Sequence, residues 1–292
     1  MKLSILYRGP LSSCNYGCGY CPFAKHHESS AELRQDEKAL ERFVAWVSDR
    51  ARDEISILFT PWGEALIRRW YQRAFIDLSQ LSQVAKIVIQ TNLSCRLDFL
   101  DQCDLARIAF WTTYHPSEVS RERFLKQCAE LSRRGIRYSV GVVGVKEHRA
   151  EIEALRRELA PDVYLWINAY KDEPAYYDPE IVQRFTEIDP LFPINQGDHA
   201  SLGKSCRTGQ SVISVDGDGT IRRCHFIREP IGNIYEDGFE TALMERRCTN
   251  ATCGCHIGYV HLDYLNLSSV FGRGILERIP ERRSTVSRAI VR

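Results

Sequence analysis

The sequence has almost no excess of charge of either sign, because 39 basic residues stand against 38 acidic ones and the formal net charge is +1. Without a global electrostatic field, the chain is expected to recruit neither nucleic acid nor a membrane. It also lacks an apolar run of membrane-span length, a signal-peptide core after Lys2, internal repeats and low-complexity segments. We therefore expect a cytoplasmic globular protein whose 292 residues bury one large core or two smaller ones.

Cysteine, in contrast, is abundant, with 11 residues in the chain. Thiols stay reduced in the cytoplasm, so these cysteines indicate metal binding rather than disulfides. Eight of them fall in two groups, one near the start and one from Cys206 onward. The other three, Cys95, Cys103 and Cys128, stand alone and are expected to be small buried side chains.

The first group is Cys14, Cys18 and Cys21, spaced C-x3-C-x2-C directly after a short apolar segment. Thiolates packed this densely can converge on one soft metal centre. A four-iron cluster has four iron corners, so three thiolates leave one iron without a protein ligand. The alternatives are three unrelated buried thiols, or a zinc knuckle completed by His26 and His27.

Cys14, Cys18 and Cys21, with the aromatic Tyr20 directly before the last cysteine, resemble the signature of the radical S-adenosylmethionine (SAM) superfamily. The resemblance implies a 4Fe-4S cluster whose open iron is chelated by SAM. An electron from the cluster would cleave a carbon–sulfur bond and release a 5′-deoxyadenosyl radical. It also implies an external electron donor such as flavodoxin or ferredoxin. By analogy Tyr20 lies near the adenine; its alternative is a packing aromatic.

Strand and helix patterns alternate over about the first 170 residues and give six strand–helix units. The strands read as near-continuous apolar runs, as a parallel sheet buried on both faces requires. Right-handed crossovers curl such a sheet toward a barrel. The chain is thus predicted to be α/β, a partial (β/α)6 TIM-like barrel, which is also the fold that the resemblance implies. The expected strands span residues 3–7, 55–60, 85–90, 108–113, 138–145 and 163–169.

Pro61-Trp62-Gly63-Glu64, at the end of the second strand, resembles the second signature of the superfamily, usually Gly-Gly-Glu. Trp62 replaces the first glycine, so the match is partial. The resemblance implies that Gly63 and Glu64 hold the ammonium group of SAM, which needs acceptor groups. Alternatively, Glu64 is a solvated carboxylate favoured by a helix dipole.

Further contacts with SAM are expected at the ends of later strands, where the family places ribose, carboxylate and adenine contacts. A glycine-containing segment around Gly144 resembles the motif that frames the adenine, although Val140 stands where its first glycine is expected. Polar residues at strand ends are also ordinary turn formers. The full set of these positions is Asn92, Thr113, Gly144, Asn168 and Tyr170.

A second metal signal follows. Cys206 and Cys224 flank a predicted β-hairpin over residues 212–223, whose glycine-rich turn ends at Gly219, and a helix is expected around residues 239–244. The pattern resembles the auxiliary-cluster domain of radical SAM enzymes, in its shortened twitch form or the longer SPASM form. The five thiols present imply one auxiliary 4Fe-4S cluster that serves electron transfer, with a zinc ribbon as the alternative. The later cysteines, of which two complete the ligand set, are Cys248, Cys253 and Cys255.

The predicted organisation is a barrel core (1–170), a linker with a helix (171–194), an auxiliary domain (195–267) and a basic, solvated tail (268–292). His115, His256 and His261 receive no catalytic role. The first strand begins at Leu3, which favours a small-molecule substrate over a peptide, because many peptide maturases carry a recognition domain before the barrel. A peptide maturase is the alternative, and a non-enzymatic iron–sulfur or zinc protein is the alternative of another class.

Overall fold

The structure, a computed structural model, describes residues 1–23 and 27–281. His26, named above as an alternative zinc ligand, and residues 282–292 of the expected basic tail lie outside the described residues. Within the described part, no helix is long and apolar enough to span a membrane.

Six parallel strands lie side by side in chain order, as predicted for the partial (β/α)6 barrel, which is confirmed. They are β1 (Lys2–Tyr7), β2 (Glu54–Phe59), β3 (Val84–Thr91), β4 (Ile108–Tyr114), β5 (Arg137–Val143) and β6 (Leu165–Asn168). The helices are α1 (Ser30–Ser48), α2 (Arg69–Ser79), α3 (Arg121–Arg133), α4 (Arg149–Glu158) and α5 (Pro179–Ile188). The connection between β3 and β4 contains only a 3-10 helix, Asp98–Gln102.

The first long helix, α1, begins at a side-chain cap formed by Ser29 and Glu32. The Ser29 side chain accepts a hydrogen bond from the Glu32 backbone, and the Glu32 carboxylate accepts one from the Ser29 backbone. This capping box satisfies two amides that have no partner inside the helix. Leu40, Phe43 and Val47 then form one buried face of α1, which packs on the outer side of the sheet.

Alternate residues of each strand face opposite sides of the sheet. Leu6, Leu58, Val88 and Ala109 stand at one level of the inner face and are cross-strand partners. The outward-facing residues between them pack against the helices. The two-residue period therefore brings Arg8 and its strand neighbours into the next inner layer, toward the carboxyl ends of the strands.

The remainder of the chain extends the same sheet. The predicted hairpin forms between β8 (Val212–Val215) and β9 (Thr220–Arg222), and β8 pairs in parallel with β1. With β10 (Pro230–Asn233) at its edge, the nine-stranded sheet has the order β10-β9-β8-β1-β2-β3-β4-β5-β6. The division into domains near residue 170 stays a prediction. The remaining elements are α6 (Phe192–Gln196), β7 (His199–Ala200), β11 (Thr252–Cys253), α7 (His256–Tyr259) and α8 (Leu267–Phe271).

Two local predictions are wrong. The helix expected around residues 239–244 is a short 3-10 helix, Phe239–Ala242, which begins after Gly238 in a left-handed conformation. The tail expected to be solvated is buried in part, at Leu276, Glu277 and Arg278. This segment closes the amino-terminal end of the barrel.

Glu277 fixes that closing segment. It is fully buried, and its Oε1 forms ion pairs with Lys86 Nζ at 2.6 Å and with Arg137 at 3.1 Å. The Ser139 hydroxyl also donates a hydrogen bond to the Glu277 carbonyl at 2.6 Å. These partners lie near the start of β3 and β5, so the segment covers the amino-terminal end of the barrel. The barrel is therefore open at the carboxyl ends of its strands.

Candidate functional site

A cavity of about 750 Å³ lies at the carboxyl ends of the strands. Its size falls in the range of small-molecule sites. The predicted site residues that line it are Cys14, Cys18, Cys21, Gly63, Glu64, Asn92, Thr113, Asn168 and Cys255. Of the other SAM contacts expected from the sequence, Tyr20, Gly144 and Tyr170 lie outside this lining, and their contacts with SAM stay predictions.

The cysteine loop follows β1 and is anchored at its start by Glu28. The Glu28 carboxylate accepts hydrogen bonds from the backbone amides of Ser12 at 2.8 Å and Ser13 at 3.2 Å. Ser13 is in turn contacted by Arg68, whose guanidinium donates to the Ser13 hydroxyl at 2.8 Å. These contacts hold the chain just before Cys14.

The loop after β2 pairs with the same stretch of backbone. Trp62 donates its amide to the Leu11 carbonyl at 3.0 Å, and Glu64 donates to the Ser13 carbonyl at 3.1 Å. Gly63 lies between them, and a Cβ at that position would stand 1.8 Å from the Ser13 carbonyl oxygen. Only glycine permits this approach, so the two sequence signatures are held together through their backbones.

Glu64 is buried, with 3% exposure, which excludes the alternative of a solvated carboxylate. Its carboxylate accepts hydrogen bonds from the Asn92 amide at 2.6 Å, the Thr91 hydroxyl at 2.8 Å and the Leu66 amide at 3.0 Å. Burial raises the pKa of Glu64, whereas these three donors lower it. The carboxylate therefore ties the end of β2 to the end of β3 beneath the cysteine loop.

Asn92 continues this connection into the cysteine loop. Its side-chain amide donates to the Asn15 side chain at 3.0 Å and lies 3.8 Å from the Cys14 sulfur. Asn15 also donates to the Ser94 hydroxyl at 3.1 Å. The end of β3 thus fixes the side of the loop that carries Cys14.

His115 contacts the opposite side of the loop, from the turn after β4. Its Nδ1 lies 2.8 Å from the Tyr20 hydroxyl and 3.3 Å from the Cys18 sulfur, and its ring stacks on Tyr20. Burial lowers the pKa of His115 to about 4, so the imidazole is neutral at pH 7. His115 lines the cavity, so Tyr20 contacts a residue of the cavity wall without lining the cavity itself.

Burial disfavours the thiolate form of two of the loop cysteines, Cys14 and Cys18. Burial raises the pKa of Cys14, and it raises the pKa of Cys18 to about 11. A buried thiolate is costly unless a positive charge compensates it, and a bound metal supplies that charge. Three sulfur donors in one short loop at the wall of the cavity fit an iron–sulfur cluster, whose irons would compensate the thiolates.

Within residues 1–23 and 27–281, no group of three metal-ligating side chains converges closely enough to hold one metal ion. Each thiolate of a four-iron cluster binds a different iron, so the sulfurs stand further apart than the ligands of one ion. In this part of the chain, Cys14, Cys18 and Cys21 therefore do not form the compact ligand set of a single metal ion.

The later cysteines separate into two environments. Cys206, Cys224, Cys248 and Cys253 are buried or half-buried and lie outside the lining of the cavity, whereas Cys255 is exposed and lines it. Burial raises the pKa of Cys253 to about 12, and the other cysteines of the group raise it further. For Cys224, likewise, burial raises the pKa to about 11, and Cys206 and Cys248 add to the effect.

Backbone contacts bring the segments of Cys206, Cys248 and Cys253 together. The Gly203 amide donates to the Cys248 carbonyl at 2.8 Å, and the Cys248 amide donates to the Lys204 carbonyl at 3.0 Å. Cys253 lies in β11, which pairs with β7, and Cys206 forms an isolated bridge with Leu262. Segments distant in sequence are thereby fixed around one small region.

The two histidines after these cysteines, His256 and His261, are both buried, and His256 also lines the cavity. His256 is buried between the rings of Trp111, Tyr259 and Phe271, and its pKa is lowered well below the usual value by burial. His261 is buried too, and burial lowers its pKa to about 3.

Sequence reasoning missed several residues that line the cavity. Arg8 and Trp111 follow the inward alternation of β1 and β4, so their strand positions could have identified them. Trp166 is found by the same period in β6. Arg278 has no such signal, because it arrives from a segment that no local pattern places in the barrel.

No protein-family model matches the chain, and no curated protein is similar to it in sequence. Solved structures are similar in fold. One, a hexahistidine-tagged anSMEcpe with bound AdoMet, gives a TM-score of 0.56 at 14% identity, covering 94% of this chain and 88% of the other. AdoMet is another abbreviation for SAM.

Two further structures are comparable. Native anSMEcpe with bound AdoMet and the Cp18Cys peptide gives a TM-score of 0.54 at 14% identity, covering 83% of this chain and 82% of the other. Streptococcus suis SuiB bound to S-adenosylmethionine gives 0.54 at 16% identity, covering 84% of this chain and 66% of the other. At these identities the likeness shows that the fold is shared.

Proposed function

We propose that this chain is a radical SAM enzyme. It binds a 4Fe-4S cluster through Cys14, Cys18 and Cys21, binds SAM beside it, and abstracts a hydrogen atom from a substrate held in the same cavity. The observation that carries the proposal is the position of these three thiols at the wall of the cavity, in a fold shared with SAM-bound structures.

When bound, the cluster and SAM supply the 5′-deoxyadenosyl radical by reductive cleavage of a carbon–sulfur bond. The protein itself binds and orients SAM and the substrate, and it excludes water from the cavity. Glu28 holds the start of the loop, Asn92 the side with Cys14, and His115 the side with Cys18. A loop fixed from three directions keeps its thiols in place while the substrate enters.

SAM would lie across the strand ends. Glu64 already accepts three hydrogen bonds, but its Oε2 accepts only one of them and retains capacity for an ammonium donor. Thr113 and Asn168 line the cavity and offer hydroxyl and amide groups to the ribose or carboxylate. By the resemblance, Gly144 and Tyr170 frame the adenine.

The auxiliary 4Fe-4S cluster would be held by Cys206, Cys224, Cys248 and Cys253. Their shared surroundings, away from the cavity lining, support this set, and Cys255 is then left over. Four thiolates for four irons leave no iron open to a substrate, so the cluster accepts or relays an electron. An external donor such as flavodoxin or ferredoxin supplies the electron for SAM cleavage.

The substrate class favoured here is a small molecule, because the cavity of about 750 Å³ must also take SAM. A peptide (RiPP) maturase is the second candidate. It is supported by the likeness to a structure that holds a peptide, native anSMEcpe with Cp18Cys.

The test is SAM cleavage by the chain after anaerobic reconstitution with iron and sulfide, using dithionite as reductant and 5′-deoxyadenosine as the readout. Substituting Cys14, Cys18 and Cys21 by Ala should remove about four irons per chain and abolish the product. Cys103→Ala, which changes a half-buried cysteine remote from both groups, is the matched control and should retain both.

Deoxyadenosine formation by the triple variant would refute the assignment. A non-enzymatic iron–sulfur or zinc protein is the competing class, and it would bind no SAM in equilibrium dialysis.

A further inference from the structure

Two buried arginines line the cavity, and each is left without an acidic partner by the described residues. Arg8 is 9% exposed and Arg278 is 1% exposed. Among residues 1–23 and 27–281, neither forms an ion pair or a side-chain hydrogen bond, and the Nε of each is buried without a partner. Burying an unpaired cation is costly, so two of them in one cavity require an explanation.

Aromatic rings hold both guanidinium groups in place. Arg8 lies over the ring of Trp62 at 4.0 Å, and Arg278 lies over Trp166 at 4.3 Å and Trp111 at 5.7 Å. Stacking fixes the plane of a guanidinium while leaving its N–H edges free for a ligand. The rings therefore orient the two cations but do not neutralise them.

Asp189 is an acidic group that interacts electrostatically with Arg278, but its hydrogen bonds are made with other residues. Asp189 is fully buried and accepts hydrogen bonds from the Tyr164 hydroxyl and from the amides of Ile167 and Leu191. Its charge acts on Arg278, yet no ion pair joins the two in the described part of the chain. Glu277, the neighbour of Arg278 in sequence, is committed to Lys86 and Arg137 instead.

Both cations stand in the wall of one cavity. Arg278 lies over Trp111, which lines the cavity together with Arg8 and the exposed Cys255. Arg8 reaches that wall from the inner layer above Leu6, and Arg278 reaches it from the segment that closes the amino-terminal end of the barrel.

We propose that the substrate carries an anionic group, a carboxylate or a phosphate, which binds to the guanidinium groups of Arg8 and Arg278. This inference rests on the proposed function, because it takes the cavity to be the substrate site. Guanidinium pairs bidentately with either anion, and the buried, preoriented pair makes such contacts strong. The apolar rings of Trp111 and Trp166 then contact the uncharged part of the substrate.

The test is isothermal titration of the reconstituted protein with inorganic phosphate and, separately, with acetate, at constant ionic strength and without SAM. At least one probe should bind saturably, and the two titrations distinguish phosphate from carboxylate. Arg8→Met and Arg278→Met, which keep most of the apolar volume, should each weaken binding by about tenfold or more, since each removes a charge-assisted contact. Arg278→Lys keeps the charge but loses the bidentate fork and the stacking on Trp166, so it should bind more weakly than wild type and more tightly than Arg278→Met.

Arg107→Met is the matched control, because Arg107 donates to backbone carbonyls of Leu81 and Val84 outside the cavity. It should bind the probes as wild type does. Circular dichroism establishes that each variant is folded. SAM affinity, measured in parallel, should be unchanged in Arg8→Met and Arg278→Met.

Failure of both probes to bind saturably, or equal binding by wild type and the Met variants, would overturn the inference. An equal loss of SAM affinity would also overturn it, since the arginines would then hold the carboxylate of SAM. Failure of the proposed function is a different result, in which the wild type cleaves no SAM while anion binding persists.

Discussion

Gly63 approaches the Ser13 carbonyl so closely that a Cβ on Gly63 would stand 1.8 Å from that oxygen. Ser13 immediately precedes the first cysteine of the loop, and Gly63 precedes Glu64. The contact therefore joins the two parts of the site that the sequence shows only as separate motifs. On either side of Gly63, the backbone amides of Trp62 and Glu64 donate hydrogen bonds to the carbonyls of Leu11 and Ser13. These hydrogen bonds hold the two backbones at this short separation.

Gly63→Ala should displace the cysteine loop, because the new methyl group meets backbone and not a flexible side chain. We expect lower iron content after reconstitution and a lower rate of 5′-deoxyadenosine formation, with stability reduced by about 1–3 kcal/mol as for other overpacked sites. Iron analysis, the deoxyadenosine assay and thermal denaturation measure these effects.

Gly197→Ala is the control for this change, since a Cβ there would come no closer than 3.9 Å to a neighbouring atom and Gly197 has an ordinary negative φ. Wild-type iron content in Gly63→Ala would mean that the loop tolerates the displacement.

A second prediction concerns the carboxylate of Glu64. Glu64→Ala removes the acceptor of two backbone amides and one hydroxyl, all in buried surroundings. Unsatisfied buried donors cost about 1–3 kcal/mol each, so the free energy of unfolding should fall by at least about 3 kcal/mol. SAM affinity should fall as well, by about tenfold or more if the ammonium loses a charge-assisted partner. Chemical denaturation and equilibrium dialysis separate the two effects, and an unchanged SAM affinity would leave Glu64 with only its structural role.

A third prediction follows from Asp36, which is fully buried beneath the cysteine loop. Its carboxylate accepts hydrogen bonds from the Leu11 amide, the Trp70 indole and the Tyr71 hydroxyl. Burial raises the pKa of Asp36 to about 6 and outweighs these donors. The folded state therefore binds the proton more tightly than the unfolded chain, where the pKa is about 3.9.

With a raised pKa, this contribution to stability is fully present below about pH 4 and is lost as the pH rises through about 6. The loss amounts to about 2 kcal/mol between about pH 4.5 and 7.5. Asp36→Asn cannot titrate, so the difference in unfolding free energy between wild type and variant should change by this amount over that window. Urea denaturation at a series of pH values measures it, and a flat difference would show that burial does not raise the pKa.

The extent to which the sequence predicted the site depends on how local each feature is. Cys14, Cys18 and Cys21 lie within one short loop, so their spacing already indicates that they can bind one metal centre. The strands of the barrel were also predictable, because each carries a near-continuous apolar run buried on both faces. Strand ends shifted by one or two residues, as at β5, which ends at Val143 and not at Val145.

Long-range placement was not predictable. Leu276, Glu277 and Arg278 look like part of a basic tail, and their burial depends on Lys86 and Arg137, which only the folded barrel presents at its amino-terminal end. The helix expected around residues 239–244 failed for a local reason. Its apolar residues Phe239, Leu243 and Met244 suit a helical period, yet the segment is too short to sustain more than a 3-10 turn.

The last prediction distinguishes Cys255 from the other four late cysteines. Sequence alone leaves open which two of Cys248, Cys253 and Cys255 complete the ligand set. In the structure, Cys253 lies in β11, within electrostatic range of Cys206, Cys224, Cys248 and Cys255, but of these five late cysteines Cys255 is the one that lines the cavity. Cys253→Ala should therefore lose the auxiliary cluster, about four of about eight irons per chain, and keep the ability to cleave SAM.

Cys255→Ala should retain the iron of both clusters, since its thiol is not needed to complete four ligands. Iron analysis together with electron paramagnetic resonance of the reduced protein measures the two variants side by side. Loss of iron from Cys255→Ala with retention in Cys253→Ala would reverse the assignment. Zinc bound at the auxiliary site in place of iron would rule out an electron-transfer role for that site, because zinc has no redox chemistry.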